Sequence, residues 1–92
     1  MNTEAIPYLP RGVRLHFDKV RKTNVLLGPE RALMLDDISH IILQHLDDTR
    51  TINEICAYLA DKFTAPLELI TEDTLAFLID LANKRLLESR HV

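Results

Sequence analysis

Apolar and polar residues alternate in the first third of the chain, whereas apolar residues recur every three or four positions in the remainder. The alternation, which is typical of half-buried strands, marks Val13–Phe17 as a strand. Val25–Leu27 is a short strand too apolar to assign a solvated face, and Arg31–Leu35 is long enough for a third short strand. Gly28-Pro29 predicts the turn between the second and third segments. Lys22–Asn24 predicts the earlier turn, with Asn24 taking positive φ. Connections this short predict an antiparallel three-stranded meander.

The segments after Leu35 follow the helical period of 3.6 residues. Asp36 is suited to cap a first helix, because its carboxylate can accept from backbone N–H groups of the first turn. Thr51-Ile52-Asn53-Glu54 fits the capping box that opens a second helix. Pro66 is suited to the first position of a third helix, which we expect to run to about Glu88.

These elements predict an α+β domain, in which a three-stranded antiparallel sheet is followed by three α-helices. The order is winged helix-turn-helix-like, with the sheet placed first. Pro7 and Pro10 cannot lie in a central strand, so residues 1–10 are expected to form an N-terminal arm or an irregular lead-in. Residues 11–90 are expected to form a single domain, because a chain of 92 residues can build one core without disulfides or metal.

The net charge of −3 is distributed unevenly. Residues 1–31 carry six basic and three acidic side chains, whereas residues 32–92 carry five basic and eleven acidic ones. A basic sheet region and an acidic helical region suit a peptide of mixed charge better than a nucleic acid. No apolar run approaches the roughly 18–20 residues that span a bilayer, and no signal-peptide pattern is present. We therefore expect no membrane contact and a cytoplasmic location.

Few side chains have the types and spacings that catalysis or metal binding requires. His40 and His45 lie five positions apart on a helix and do not share a face that could hold a metal. Cys56 falls on the apolar side of the second helix and is expected to pack as a small hydrophobic residue. The phosphate-loop, HExxH and GxSxG motifs are absent. We predict that the chain is not an enzyme and has no catalytic residue, metal or cofactor.

The winged-helix topology raises an alternative, the binding of nucleic acid. A recognition helix presents several Arg, Lys, Asn or Gln side chains to a DNA groove. The third helix instead carries acidic side chains that would face phosphates: Glu68, Glu72, Asp73, Asp80 and Glu88. We therefore expect no nucleic-acid partner. A further alternative is a homodimer, because an open strand edge can pair with its own copy.

Three short motifs in the sheet region carry a resemblance to a known family. They are Arg11-Gly12-Val13-Arg14-Leu15, Leu27-Gly28-Pro29-Glu30-Arg31 and Leu35-Asp36, followed by a helix that begins ISHIIL and by the TINEI capping box. With these motifs at this spacing, the stretch from about Pro10 to Leu87 resembles the pyrroloquinoline quinone (PQQ) biosynthesis protein D (PqqD) family. One departure is Arg85, where related sequences often carry glycine near the end of the last helix.

The resemblance implies a peptide chaperone without catalysis of its own, of the class called RiPP recognition elements. Such proteins bind the ribosomal precursor peptide of the cofactor. They present it to a radical S-adenosylmethionine (SAM) enzyme, which cross-links a Glu and a Tyr within the peptide. The resemblance also implies that the leader of the precursor adds as a strand to the third β-strand and lies beside the third helix.

The residues support this mode of binding, because the third strand of a meander has one neighbour only and leaves its outer backbone groups free. The candidates for apolar contacts with the peptide are Leu33, Met34, Phe77 and Leu81. The candidates for charged contacts are Glu30, Arg31, Asp73, Asp80 and Lys84. The motif residues assigned to the sheet or to the enzyme partner are Arg11, Gly12, Arg14 and Pro29. The alternatives are core packing for the apolar set and solvated charge for the charged set.

Overall fold

The computed structural model describes residues 1–91. Its elements, in chain order, are β1 (Ile6–Tyr8), β2 (Arg14–Asp18), β3 (Thr23–Gly28), β4 (Arg31–Met34), α1 (Asp37–Gln44), α2 (Ile52–Phe63), α3 (Leu67–Asn83) and β5 (Glu88–Arg90). Strands β2, β3 and β4 form an antiparallel sheet in that order, and β1 pairs with β5 in a separate sheet. The expected α+β fold is confirmed. The winged helix-turn-helix description fits it only loosely, because the chain ends add a second sheet.

The turn between β3 and β4 contains two residues. Gly28 pairs with Arg31, so Pro29 and Glu30 form the loop between them. Glu30 has a φ of 58°, in the left-handed region that tight turns often require at their second central residue. The predicted turn at Gly28-Pro29 is confirmed, and it delivers the chain directly into β4.

The turn between β2 and β3 differs from the prediction. Lys22 takes the positive φ, at 54°, whereas Asn24 lies within β3. The turn is supported from its other side by Asp18, whose carboxylate accepts hydrogen bonds from the backbone N–H groups of Val20 and Arg21 at 3.0 and 3.1 Å. The assignment of positive φ to Asn24 was wrong, because the side chain that organises the turn precedes it.

The predicted starts of the first two helices are confirmed. Asp36 accepts a hydrogen bond of 2.7 Å from the backbone N–H of Ser39, and this bond lowers the pKa of the Asp36 carboxyl. Thr51 and Glu54 form the capping box of α2. The Thr51 hydroxyl accepts from the Glu54 backbone N–H at 3.2 Å, and the Glu54 carboxylate accepts from the Thr51 backbone N–H at 2.9 Å.

The third helix is shorter than predicted. Pro66 is its N-cap rather than its first residue, and the helix ends at Asn83 rather than at about Glu88. Residues Glu88–Arg90 form β5 instead. The prediction was wrong because Arg85 occupies the left-handed position that ends the helix, where glycine is usual.

A Schellman motif ends α3. The backbone N–H of Leu86 donates to the carbonyl of Leu81 at 2.9 Å, and that of Arg85 donates to the carbonyl of Ala82 at 3.0 Å. The motif needs a left-handed residue, usually glycine, and here Arg85 fills it with a φ of 62°. An L-residue in this region costs roughly 1–2 kcal/mol. The sequence therefore lacked the glycine that would have marked the end of the helix.

The segment 1–10 is packed onto the rest of the chain rather than extended as an arm. Ala5 and Ile6 are buried, and β1 pairs antiparallel with β5. Pro7 is tolerated in β1 because both members of a two-stranded sheet are edge strands. The expectation of an arm failed because the partner of β1 lies at the other end of the chain.

The same segment completes the N-terminus of α2. The carbonyl of Ala5 accepts from the backbone N–H of Ile52 at 3.0 Å, and that of Thr3 accepts from the N–H of Asn53 at 2.9 Å. The first N–H groups of a helix have no partner within the helix. Residues 3–5 therefore provide acceptors that the capping box alone does not supply.

Arg90 ties β5 to the loop between α1 and α2. Its guanidinium donates to the carboxylate and to the backbone carbonyl of Asp48. It also lies over the ring of Tyr8, with 5.4 Å between Cζ and the ring centroid. A guanidinium at this distance from an aromatic ring gains a cation–π attraction, so Arg90 connects both strands of the small sheet to the helical part of the chain.

One apolar core joins the larger sheet to the helices. Its buried side chains come from both parts of the chain: Val13, Leu26, Leu35, Ile42, Leu43, Ile52, Ile55, Cys56, Leu59, Leu78, Leu81, Leu86 and Leu87. The helices thus cover one face of the sheet. This packing does not involve the edges of the sheet, where we look for the functional site.

Candidate functional site

Strand β4 has an open outer edge. Within residues 1–91 its only paired neighbour is β3. The backbone N–H of Leu35 donates to the carbonyl of Asn24 at 2.9 Å. Because inward- and outward-pointing residues alternate along an antiparallel strand, Leu33 also points its backbone groups toward β3. The N–H and C=O groups of Ala32 and Met34 therefore point away from the sheet.

The side chains of β4 divide between two faces. Leu33, opposite the fully buried Leu26, is half-buried against the core. Met34 lies on the other face with 63% of its side chain exposed, and its sulfur is 4.0 Å from a guanidinium nitrogen of Arg21. Arg31 is also exposed. Met34 and Arg31 are therefore accessible at this edge, whereas Leu33 is partly committed to the core.

The predicted residues of α3 lie in different environments. Phe77 is half-buried against the core, and Asp73 is exposed. Leu81 is fully buried, so its side chain is out of reach of a peptide and supports the surface from below. Asp80 and Lys84 pair with each other at 2.8 Å.

An apolar groove of about 270 Å³ lies between the three helices. Its lining residues come from α1, α2, α3 and the loop before α3: Ile38, Ile42, Leu59, Phe63, Ala65, Ile70, Asp73 and Thr74. Ile38 and Phe63 are 60% and 42% exposed. Asp73 was predicted as a site residue, but the apolar lining was not, because helical periodicity marks core and groove residues alike.

The groove and Phe77 lie on one side of α3. Ile70, Phe77 and Lys84 are spaced by seven residues, close to two helical turns, so they point in nearly the same direction. Ile38, which lines the groove, follows the end of β4 by only four residues. The chain thus leads from the open strand edge to a residue of the groove, and the groove shares its side of α3 with Phe77.

The motif residues Arg11, Gly12 and Pro29 build a corner of the sheet. A turn is closed by a 3.0 Å hydrogen bond from the backbone N–H of Val13 to the carbonyl of Pro10. Gly12 has a φ of 88°, which fits the glycine position of a type II turn. A Cβ on Gly12 would meet Pro29 Cγ at 3.8 Å. The two motifs are thus neighbours.

Arg14 directly follows this corner and is exposed on β2 opposite Leu27. Cys56 is fully buried in the core. Residues 1–91 contain no group of three or more His, Cys, Asp or Glu side chains placed to hold a metal ion. In the same part of the chain, none of the helices combines the length and the apolar character needed to cross a membrane.

Comparison with known proteins identifies the family to which this chain belongs. The family model described as "Coenzyme PQQ synthesis protein D (PqqD)" matches residues 23–87. A protein of Rhizobium meliloti named PqqA binding protein is 51% identical over 80 residues, which cover 87% of this chain and 82% of that protein. The bifunctional coenzyme PQQ synthesis protein C/D of Methylorubrum extorquens is 45% identical over 83 residues, which cover 90% of this chain but only 22% of that longer protein.

A solved structure shows the same fold. It is the solution NMR structure of the PqqD truncation of Methylobacterium extorquens PqqCD, described as a functional and stand-alone RiPP recognition element. It is 42% identical to this chain, with a TM-score of 0.82, and the match covers 95% of this chain and 93% of that one. The fold is that of a small α+β RiPP recognition element. The chain belongs to the PqqD family.

Proposed function

We propose that this chain is a peptide-binding adaptor of PQQ biosynthesis, which binds the ribosomal precursor peptide as a strand added to β4. The observation that carries the proposal is the open edge of β4, where the backbone groups of Ala32 and Met34 point away from the sheet. An extended peptide can complete such an edge with main-chain hydrogen bonds. The name of the Rhizobium meliloti relative, PqqA binding protein, supports a peptide partner.

Strand addition alone does not give a stable complex. Each hydrogen bond contributes about 0.5–1.5 kcal/mol net, whereas ordering each residue of a flexible peptide costs about 1–2 kcal/mol. Apolar burial must supply the difference, at about 25 cal/mol per Å². Burial of Ile38, Phe63 and Met34, which are 60%, 42% and 63% exposed, provides that contribution.

The position of the groove gives the peptide a path. A peptide paired along β4 passes Arg31 at one end and reaches the start of α1 at the other. There its apolar side chains enter the groove between Ile38 and Phe63, and Phe77 extends this surface along α3. A basic residue of the peptide next to those apolar side chains would meet Asp73 at the groove.

Charges are expected to set the register of the peptide. Within residues 1–91, neither Arg31 nor Asp73 forms a salt bridge. They are therefore the charged groups we assign to the peptide, together with Glu30 at the turn. Asp80 and Lys84 have a lesser role in the proposal, because each must leave the other before it pairs with a peptide charge.

The proposal includes delivery of the bound peptide to a radical SAM enzyme in the cytoplasm, where ribosomal peptides are made. The adaptor itself performs no chemistry in this scheme. Arg14, exposed on β2, remains our candidate for contact with the enzyme. A homodimer through the β4 edge is the form we propose for the unliganded protein at high concentration, because peptide and second copy compete for the same backbone groups.

The test is an NMR titration of isotope-labelled protein with the full-length precursor peptide. We expect shifts at Ala32 and Met34 in β4 and at Ile38, Phe63 and Asp73 around the groove. Shifts that avoid both β4 and the groove would show that the peptide binds elsewhere. Light scattering before and after addition of peptide tests the dimer, which the peptide should dissociate.

A further inference from the structure

A second cavity lies at the C-terminal end of α3, and we call it the arginine cavity. Its volume is about 350 Å³. Four segments of the chain line it: Pro10, Arg11 and Val13 of the first turn, Pro29 of the β3–β4 turn, Ala82 and Arg85 at the end of α3, and Leu87 and Glu88 beyond it. The motif residues Arg11 and Pro29 thus line the same cavity as Arg85, the residue at which this chain departs from the family pattern.

The two guanidinium groups of this cavity have no salt-bridge partner among the residues that the structure describes. Within residues 1–91, neither Arg11 nor Arg85 forms a salt bridge, and Glu88, which lines the same cavity, forms none either. Both arginine side chains are exposed. The cavity therefore carries an excess of positive charge that is open to a ligand.

Both arginines project from backbone turns of fixed geometry. Arg11 precedes Gly12 in the turn closed by the Val13–Pro10 hydrogen bond of 3.0 Å. Arg85 occupies the left-handed position that ends α3, with a φ of 62°. Glycine would fit that position with less strain. The chain instead holds a guanidinium there, beside the same cavity as that of Arg11.

The chemistry of the lining identifies the class of ligand. A guanidinium matches a carboxylate with paired, charge-assisted hydrogen bonds. A free small carboxylate would gain little from such exposed charges, because solvent and salt screen them. The apolar part of the wall with accessible surface, formed by Pro10, Pro29 and Ala82, adds contact area for an occupant that also brings carbon atoms. An acidic side chain on a polypeptide satisfies both requirements.

The arginine cavity and the peptide surface lie on different sides of α3. Ala82, which lines the cavity, points about 140° away from Phe77 around the helix axis. On α3 the two surfaces are therefore separate, whereas at the β3–β4 turn Pro29 of the cavity directly precedes Glu30 and Arg31, which are assigned to the peptide.

We infer that the arginine cavity binds an acidic side chain of the radical SAM enzyme, which anchors the peptide-loaded adaptor to it. This inference rests on the proposed function, because it assumes that the peptide is delivered to that enzyme. It assigns Arg85 and Arg11 to the enzyme partner on the basis of one shared cavity.

The test measures affinity of the peptide-loaded adaptor for the radical SAM enzyme by calorimetry. We expect Arg85→Gly and Arg11→Gln each to weaken this affinity about tenfold, and the affinity of the unsubstituted adaptor to fall with added salt. Affinity for the precursor peptide alone should stay within twofold. Arg85→Gly is the sharper variant, because it should melt no lower than the parent protein. Lys19→Gln, which removes an exposed charge outside the cavity, is the control and should change neither affinity.

The outcomes separate the inference from the proposed function. Unchanged enzyme affinity in both arginine variants, with the peptide still bound, would overturn the inference and leave the adaptor role intact. If the unsubstituted adaptor binds the peptide but not the enzyme, delivery to the enzyme and the inference both fail. N-acetylglutamate serves as the small-carboxylate probe. Saturation of the Arg11 and Arg85 amide shifts below millimolar concentration would indicate a free metabolite as the ligand and would also overturn the inference.

Discussion

Gly28 lies so close to Leu86 that a Cβ built on the glycine would be 2.5 Å from Leu86 Cδ2. This contact packs the end of β3 directly against the segment that follows α3. Gly28→Ala should therefore lower the free energy of unfolding by about 1–3 kcal/mol, the usual cost of overpacking a core. Urea denaturation monitored by circular dichroism measures the change.

The double variant Gly28→Ala/Leu86→Ala provides the control for this prediction. Leu86→Ala alone should cost about 2–5 kcal/mol, because the leucine is buried. In the double variant the added methyl group enters the space that the leucine leaves, so the loss should be smaller than the sum of the two single losses. Strict additivity would mean that the two positions do not touch.

The backbone of Ala32 gives a direct test of strand addition. Ala32→Pro removes an N–H group that points out of the sheet and leaves the β3–β4 hydrogen bonds in place, as is tolerated in edge strands. We expect the affinity for the precursor peptide to fall about tenfold or more, because one hydrogen bond is lost and the ring obstructs the edge. Fluorescence anisotropy with a labelled peptide measures it.

Ala32→Ser is the matched variant for that experiment. It changes the side chain at the same position but keeps the backbone N–H, so peptide affinity should stay close to that of the parent. Equal weakening by serine and proline would indicate a side-chain effect, and equal affinity for all three proteins would exclude the β4 edge as the peptide site.

The apolar groove is tested by Ile38→Gln. Ile38 is 60% exposed, so the substitution should change the free energy of unfolding by less than about 0.5 kcal/mol. The peptide should bind about 1–2 kcal/mol more weakly, because less apolar surface is buried. Leu69→Gln is the control, since Leu69 is also exposed, at 52%, but lies outside the groove. Similar effects of both variants on peptide binding would contradict a specific groove.

Asp47 makes the stability of the α1–α2 loop depend on pH. Its carboxylate accepts hydrogen bonds from the backbone N–H of Arg50 and from the hydroxyl and backbone N–H of Thr49. The hydrogen bond from Arg50 has the largest effect, and together they lower the pKa of Asp47 from 3.8 to about 2. A lowered pKa in the folded state stabilises the protein above pH 4, and this stabilisation is lost as pH falls from about 4 to about 2.

Asp47→Asn should therefore be less stable than the parent protein at neutral pH, and the difference should shrink as pH falls through that range. Thermal melts between pH 2 and pH 7 measure it. Asp36→Asn should behave in the same direction, because the hydrogen bond from Ser39 also lowers the pKa of Asp36. Melting curves of parent and variant that stay equally far apart at every pH would contradict the assignment.

Local signals in the sequence were sufficient for most elements. Asp36 and the Thr51–Glu54 box bind backbone groups within their own first turn, so short-range pattern alone identified both caps. Gly28-Pro29 likewise marked its turn. The alternation in β2 and the short connections between the three strands predicted a meander, and the position of its third strand then predicted the open edge.

The missed features depend on distant or atypical partners. β1 and β5 are only three residues each and pair across nearly the whole chain, so neither segment had a local reason to be called a strand. Arg85 ends α3 at a position that glycine normally occupies, so the end of the helix could not be predicted from the residue type. Ile38 and Phe63 follow the apolar period of their helices and yet remain exposed, because no further element within residues 1–91 covers them.

The pairing of β1 with β5 also has a consequence for folding. Its contacts join residues at opposite ends of the chain, so they require closure of the largest loop in the molecule and are expected to form late. Once formed, these contacts hold the N-terminal and C-terminal strands in place against each other. Loss of either terminal strand, by proteolysis or fraying, should therefore release both ends and, with them, the carbonyl groups that cap α2.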